Sequence, residues 1–574
     1  MPKLQRNWPT LPAMMLALAA EWADRPLFRY WHGGAWQSLR WGDFALRVAS
    51  VAAFLRAKGV GPGDRVMLVS ENRPEFPIAD TAIMAIGAVT VPTYTTNLAG
   101  DHAHILRDSG ARTAIVSTRR LAEKVLEGAA LANGLDLLIT FEDPPTDAGL
   151  LAHGWAEAIA TPGDVAALHA EAEAGPTDSL ACLIYTSGTG GLPKGVMLPH
   201  RALLANRAGV VPLAERLGLE GKPYLSFLPL SHSYEHTVGG FLLPSVGMEV
   251  VYSRGADRLS HELAEIKPAV LTAVPRLFEV LRGRILLGLE KETPFKRRLF
   301  DRTVELGLRK MDGPPLGLFE KLQDLMLDRL VRTKTRARFG GELLAMVSGG
   351  ARLDPDLSGF FLALGLPVLQ GYGQTEAGPV VSVNLPWSNH RHTVGPPLQG
   401  VELRIAEDGE VLVRGDLVMT GYWNNPEATA AALRPPAGES GDWLHTGDVG
   451  VIEDGYLRIT DRKRDFIKTL GGDMVSPAKV ESLLMAEPEV HQAVVAGEGK
   501  PGIVALVVPA DGMADKVAEA VRRVNGKLAT IERIRHFAVT EPFTIDNGLL
   551  TPTMKVKRRA AIEARTGEFE RLWG

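Results

Sequence analysis

An apolar run, Leu180 to Ile184, leads directly into Tyr185-Thr-Ser-Gly-Thr-Gly-Gly-Leu-Pro-Lys-Gly195. A short apolar run bounded by a turn signal reads as a buried strand. The stretch behind it therefore leaves a strand end carrying three aliphatic hydroxyls, four glycines and one lysine. Glycine lets a backbone approach a ligand closely. Successive N–H groups, the hydroxyls of Thr186, Ser187 and Thr189, the turn at Gly188 and the Lys194 ammonium form a set suited to surrounding a polyphosphate. Two other phosphate loops do not fit. A P-loop needs Gly where Pro193 stands and Ser or Thr where Gly195 stands, and the dinucleotide fingerprint also needs Gly at Pro193. A flexible Gly/Ser/Thr linker is the bland alternative; the apolar strand in front and Pro193-Lys194-Gly195 behind argue against it.

The rest of the chain supplies strands for such a loop to sit among. Apolar residues at Phe44, Val48, Val51 and Leu55 mark one face of a helix over Trp41 to Lys58. Val66 to Val69, Ala88 to Thr93 and Thr113 to Val116 read as strands, with helices over Pro77 to Ile86 and from Asp101 between them. Alternation of this kind indicates an α/β fold with a largely parallel sheet. It continues through a helix at Leu203 to Val211 and strands at Tyr224 to Pro229, Gly247 to Tyr252 and Ala269 to Val274. Arg276 to Arg338 is dense in charge and helix-compatible throughout, an inserted helical block. Strands resume at Leu343 to Val347, and short strands and turns over Gly395 to Thr460 predict an antiparallel β segment. Residues 120 to 178, rich in Ala, Gly, Asp and Pro, are the least legible.

At 574 residues the chain exceeds what one core organises, so several domains or subdomains are expected. Residues 1–460 form a large N-terminal domain of α/β-sheet subdomains with a small β segment and the helical insertion at about 280–338. Residues 461–468 form a charged linker, and 469–574 a small α+β C-terminal domain of plausible size. Ser476-Pro477 is the N-cap and first position of a helix there.

A net charge of −4 gives no reason to expect a nucleic-acid partner. Cys182 is the sole cysteine, which excludes an intrachain disulfide and suits a reducing compartment. No segment approaches the ~18–20 apolar residues of a membrane helix. Leu11 to Ala20 is apolar, but its core is short for an export signal and broken by Pro12, so Pro12 to Trp22 reads as a docking helix. A cytoplasmic location is expected, with peripheral contact at the inner face of the membrane, and a homodimer, left open.

Ligands of open α/β sheets bind beyond the carboxyl ends of strands. The glycine-rich loop, Ser348-Gly-Gly-Ala351, Gln370-Gly-Tyr-Gly-Gln-Thr-Glu376 and His232 each follow an apolar strand, so one crevice is expected to collect all four. Glu376 suits Mg²⁺, a hard cation that takes one or two carboxylates and keeps its waters.

These motifs, with His445-Thr-Gly-Asp448 and Asp461 to Gly472, resemble the adenylate-forming superfamily of acyl-CoA synthetases, firefly luciferases and peptide-synthetase adenylation domains. Within it, Leu228-Pro-Leu-Ser-His-Ser-Tyr-Glu235, Val274-Pro-Arg-Leu-Phe-Glu279 and the helical insertion look like the long-chain fatty acyl-CoA synthetases. The resemblance implies an AMP-forming acid–thiol ligase with Mg²⁺ as cofactor and ATP, a fatty acid and coenzyme A as substrates. It places Gly350, Ala351, Gly371 and Tyr372 around adenine, counts Gln370 and Gly373 among the residues that bind ATP and AMP, and sets Gln374 and Thr375 along the α-phosphate and carboxylate and Asp448 and Arg462 on the ribose. Thr186 and Glu376 hold the metal, His232 lies near the acyl carboxylate, and Lys555, in Thr551-Pro-Thr-Met-Lys555, is the catalytic lysine. Met554 stands where the family commonly has glycine. Arg464 takes the hinge position of a mobile C-terminal domain, with Lys468, Gly471 and Gly472 on the coenzyme A side. The rival readings are an acyl-AMP ligase serving a carrier protein and a catalytically silent acyl-binding homologue; Lys194, Glu376, Asp448 and Lys555 argue against the second.

Overall fold

The alternation of strands and helices closes into two large sheets. The computed structural model of the chain describes residues 6–573 apart from 133, 146–150, 187–191, 256, 437–439, 464–466, 472–473 and 552–555. Among the described residues, the first eight-stranded sheet runs in the order Gly421–Tyr422, Lys194–Pro199, Leu180–Thr186, Val89–Thr93, Arg65–Val69, Thr113–Val116, Leu137–Thr140, Leu151–Gly154. From Leu180–Thr186 onward its neighbours are parallel. The second runs Val380–Val383, Val368–Gly373, Ala345–Ser348, Val270–Ala273, Pro223–Ser226, Glu249–Tyr252, Pro26–His32, Ala35–Arg40, parallel except at its two edges. Inner strands such as Leu137–Thr140 are buried at every residue, as strands covered on both faces must be.

The N-terminal apolar run is a docked helix, Leu11–Glu21, as expected. Thr10 caps it, accepting from the Ala13 N–H at 3.2 Å while its hydroxyl donates to Ala172 O at 2.9 Å. Its buried Leu11, Met14, Met15 and Leu18 pack toward helices Trp41–Ala57, Glu75–Ala85 and Val165–Ala174. The illegible stretch after residue 118 holds helices Arg119–Ala130, Trp155–Ala160 and Val165–Ala174 and two strands. The alanine-rich helix Val165–Ala174 offers little apolar contrast, and Leu151–Gly154 is a partly exposed edge strand without alternation.

The helical block comprises Pro275–Glu290, Pro294–Asp312, Leu318–Leu327 and Thr333–Arg338, with proline opening the first two. Pro294–Asp312 lies on Pro355–Ala363 so closely that a Cβ on Gly307 would come 2.6 Å from Ala363 Cα. The segment read as purely antiparallel β differs in two respects. It contains a helix, Pro426–Ala432, and its Gly421–Tyr422 leaves to pair with Met197 and Val196 of the first sheet.

Asp461 and Arg462 complete the strand Tyr456–Arg462, and Ile467–Lys468 pairs with Met474–Val475 in the next unit. Three strands, Val490–Ala496, Ile503–Pro509 and Ile534–Val539, form the smaller C-terminal domain's sheet. Helices Pro477–Met485 and Val517–Lys527 cover one face, and Arg558–Ala564 and Thr566–Trp573 the other. Arg276 Nη2 meets His491 Nδ1 at 2.8 Å, joining the helical block to this domain.

Candidate active site

Three of the four stretches leave the carboxyl ends of parallel strands in the second sheet. Ser348-Gly-Gly-Ala351 follows Ala345–Ser348, Gln370 to Glu376 spans the end of Val368–Gly373, and His232 follows Pro223–Ser226. The glycine-rich stretch belongs to the first sheet and is a hairpin: Leu180–Thr186 is paired antiparallel with Lys194–Pro199, Thr186 opposite Lys194. A strand thus follows where a P-loop or dinucleotide loop would start a helix. Ser187, Gly188 and Thr189 lie outside the described residues.

Gly421–Tyr422 brings the two sheets' contributions together. Paired beside Val196, it sets the Tyr422 ring under the Lys194 ammonium, 4.9 Å from the ring centroid. The Tyr422 hydroxyl donates to Glu376 Oε1 at 2.8 Å. Lys194 forms no ion pair among the described residues, so its charge lies open at the hairpin mouth. Gly195 is required by close approach: a Cβ there would stand 3.0 Å from Tyr185 Cζ and 3.3 Å from Trp423 Cβ. The Trp423 N–H donates to Gly195 O at 2.7 Å, and the Tyr185 hydroxyl to Asp108 Oδ2 at 2.6 Å.

Four residues before Glu376, Tyr372 belongs to a second cluster. Its hydroxyl donates to Asp448 Oδ2 at 2.6 Å, and Arg462 Nε donates to Asp448 Oδ1 at 2.8 Å. Asp448 and Arg462 face one another across paired strands, and Asp448 is buried. Burial first, and then the Asp448 carboxylate, push the Tyr372 phenol well above its ordinary range, so it remains a donor. Beneath lies buried Glu410, which accepts from the Gly447 N–H at 2.8 Å, Lys463 Nζ at 2.9 Å and pairs with His445 Nδ1 at 3.1 Å. Burial opposes its charge, but these three partners prevail and hold its carboxyl below the ordinary value. Glu410 thereby fixes the His445-Thr-Gly-Asp448 turn. At Gly373 no side chain fits, since a Cβ would lie 1.8 Å from Pro379 O, and at Gly371 it would lie 3.2 Å from Ser382 O.

His232 caps the short helix Ser233–Thr237, its Nδ1 accepting from the Tyr234 N–H at 3.1 Å, which leaves Nε2 as the protonated nitrogen of the neutral ring. Its ring lies 6.4 Å from that of Tyr94, beyond the strand Val89–Thr93 of the first sheet. Ser233 Oγ is 2.9 Å from Thr375 Oγ1, and the Tyr234 hydroxyl donates to Val347 O at 3.1 Å, so this helix reaches across to the ends of the strands Val368–Gly373 and Ala345–Ser348. Buried Gln374 Nε2 has no hydrogen-bond partner among the described residues, an orphaned donor within the stretch assigned to the α-phosphate. Gly350, at φ +76°, and Ala351 are exposed at their strand end, while Gln370 is buried and its carbonyl accepts from the Asn384 N–H at 3.0 Å.

The structure therefore brings together Thr186, Lys194, Tyr372 to Glu376, Asp448, Arg462 and His232. Lys468 and Gly471 lie in the C-terminal hairpin, Lys468 N donating to Glu498 Oε2 at 2.9 Å. Arg464, Gly472 and Lys555 are outside the described residues. Tyr422, Glu410 and Asp108 were not legible in the sequence, because local spacing carries no record that residue 422 returns to the strand at 196. Among the described residues no group of three or more His, Cys, Asp or Glu converges on one point. Glu376, whose Oε2 takes no hydrogen bond among the described residues, fits a cation held by one carboxylate and by a substrate's phosphates.

Family comparisons agree with this geometry. The model of the AMP-binding enzyme family matches residues 17–423, and that of the AMP-binding enzyme C-terminal domain matches 464–572. A long-chain-fatty-acid–CoA ligase, FadD15, of Mycobacterium bovis is 34% identical over 94% of this chain and 93% of its own. Long chain acyl-CoA synthetase 7, peroxisomal, of Arabidopsis thaliana is 29% identical over 92% of this chain and 80% of its own. Among solved structures, the adenylation domain of a carboxylate reductase from Mycobacterium chelonae superposes with a TM-score of 0.76 at 22% identity, covering 100% of this chain and 94% of that one. The o-succinylbenzoate coenzyme A synthetase of Bacillus subtilis with ATP and magnesium gives 0.70 at 21% identity, covering 95% and 98%. These two share the fold. The chain belongs to the AMP-binding, adenylate-forming enzyme family, alongside the long-chain-fatty-acid–CoA ligases.

Proposed function

We propose that this chain activates a medium- or long-chain fatty acid with ATP as an acyl-adenylate and transfers the acyl group to coenzyme A, releasing pyrophosphate and AMP. One observation carries the reading. The segment Tyr372 to Glu376 joins a buried hydroxyl-binding cluster at Asp448 to an open cation at Lys194. Four residues of extended chain span at most about 14 Å, the scale of a nucleoside triphosphate.

In this reading Asp448 and Arg462 bind the ribose hydroxyls, with adenine against Gly350, Ala351, Gly371 and Tyr372, and Gln370 and Gly373 complete the nucleotide site. Gln374 donates its orphaned N–H to the α-phosphate or the attacking carboxylate, with Thr375 beside it. The hairpin, through Thr186, Ser187, Gly188, Thr189 and Lys194, grips the phosphates that leave as pyrophosphate. Glu376 and Thr186 would hold Mg²⁺, which supplies charge neutralisation on the phosphate oxygens. The fatty carboxylate attacks the α-phosphorus, the bond to the β-phosphate oxygen breaks, and the Lys555 ammonium offsets the charge that builds. His232 orients the carboxylate through Nε2. The coenzyme A thiolate then attacks the acyl carbon and AMP leaves. Residues 469–574 act as a mobile domain about Arg464 in the 461–468 linker, exchanging Lys555 for Lys468, Gly471 and Gly472 between the steps.

Fatty-acid-dependent exchange of pyrophosphate into ATP, and thioester formation dependent on coenzyme A, test this directly. A chain-length series without exchange at any length overturns it. Lys555→Ala is expected to lower exchange at least about 100-fold while sparing thioester formation from preformed acyl-adenylate; equal loss of both half-reactions removes Lys555 from the role.

A further inference from the structure

The helix Leu318–Leu327 presents an apolar ridge to solvent. Leu318, Phe319 and Leu322 are 88%, 79% and 66% exposed, and Leu325 and Met326 continue the same face. At 100° per residue these five fall within about 120° of arc. The opposite face holds the helix to the protein: Leu327 is fully buried, and Asp324 pairs with Lys310 of the helix Pro294–Asp312 at 3.4 Å. An apolar face this continuous is not the scattered exposure of an ordinary surface.

Its surroundings state what covers it. Between residues 291 and 338 stand thirteen Lys and Arg against seven Asp and Glu, a net +6 in a chain whose net charge is −4. Exposed Arg298, Lys321 and Arg329 form no ion pair among the described residues. We infer that this face is a membrane-docking surface for an anionic lipid bilayer: the ridge enters the headgroup–acyl boundary and the cations pair with acidic headgroups. A second copy of the chain would set +6 against +6, whereas an anionic surface complements it. No helix among the described residues is long and apolar enough to cross a membrane, so attachment through this face is interfacial. The proposed fatty substrate favours the same interface, but vesicle binding is read independently of that activity.

The test is co-sedimentation of the full chain with phosphatidylcholine vesicles, with and without phosphatidylglycerol, over a salt series. Binding is expected to favour the anionic vesicles and to weaken as salt rises. Phe319→Ser with Leu322→Ser is expected to weaken binding about ten-fold or more. Lys321→Glu with Arg329→Glu is expected to erase the preference for anionic lipid, and circular dichroism melts of both variants to match the wild type. Failure of the wild type to bind anionic vesicles, or unchanged binding by the serine variant, overturns the proposal. So does a wild-type dimer that the serine variant converts to monomer in light scattering, which would give the face to a second copy.

Discussion

The two ends of the segment Tyr372 to Glu376 are built on opposite plans. At Tyr372 the polar groups already have one another: the phenol and Arg462 both donate to buried Asp448, and Glu410 holds the turn beneath. At Glu376 the charges stay open, with one carboxylate oxygen tied to Tyr422 and the Lys194 ammonium resting on that ring with no carboxylate partner among the described residues. A neutral sugar offers weak hydrogen bonds and is best met by a site already held in place. A polyphosphate brings several negative charges and completes an unfinished electrostatic site itself. Pairing Lys194 internally would set a protein carboxylate in competition with the ligand.

Breaking the prebuilt end has the largest expected consequence. Asp448→Ala removes the acceptor of both Tyr372 and Arg462 and leaves a buried phenol unpaired, at about 1–3 kcal/mol of stability. It should also lower kcat/KM for ATP about 100-fold or more. Denaturant unfolding and steady-state kinetics measure the two losses separately; a loss of activity with unchanged stability would mean that the cluster is not preorganised. Breaking the open end should divide the same two readouts. Lys194→Ala is expected to cost roughly 10–100-fold in kcat/KM for ATP, with a stability change within about 0.5 kcal/mol, because no internal ion pair is lost. A marked fall in its melting temperature would show a structural role for the ammonium.

The link between the ends is a smaller lever. Tyr422→Phe keeps the ring beneath Lys194 and removes only the hydrogen bond to Glu376, worth about 1 kcal/mol, or roughly five-fold in rate. The Mg²⁺ concentration for half-maximal exchange should rise by a similar factor, and a variant with an unchanged Mg²⁺ dependence would separate Tyr422 from the metal.

Glu235 affords a control outside both clusters. It lies fully buried behind His232, accepting from the hydroxyls of Tyr224 at 2.7 Å, Ser226 at 2.6 Å and Thr272 at 3.0 Å. Burial raises its carboxyl from an ordinary 4.5 to about 7, against those hydrogen bonds. Between these values the folded chain keeps a proton that the unfolded chain has released. Stability from this group therefore falls as pH rises through that window, by on the order of 3 kcal/mol, and is level above it. Glu235→Gln keeps the shape and cannot titrate, so unfolding free energies at about pH 5 and about pH 8 should differ less than in the wild type. An unchanged difference would place the titration elsewhere. Exchange activity should change least among these variants.

Much of the architecture is local enough to be read from the residues. Short, mostly apolar runs such as Thr113–Val116, set between helices, read as buried strands, and Ser476 announces its helix through a hydrogen bond that reaches only three residues. The same holds for half of the candidate site. Thr186 and Lys194 sit in a stretch whose composition argues phosphate chemistry and Glu376 suits a hard cation, while the ribose role of Asp448 and the metal role of Thr186 come from the family resemblance that their motifs carry. The order of strands, by contrast, is set by packing between distant parts of the chain. That Gly421–Tyr422 crosses to the first sheet, that Glu410 supports a turn thirty-seven residues later, and that the apolar ridge at Leu318 faces outward are outcomes of tertiary assembly. Residue types and short-range spacing thus determined which chemical groups this protein has. Only the folded chain decided which of them are satisfied by one another and which are left for a ligand, because burial and pairing are properties of neighbours in space.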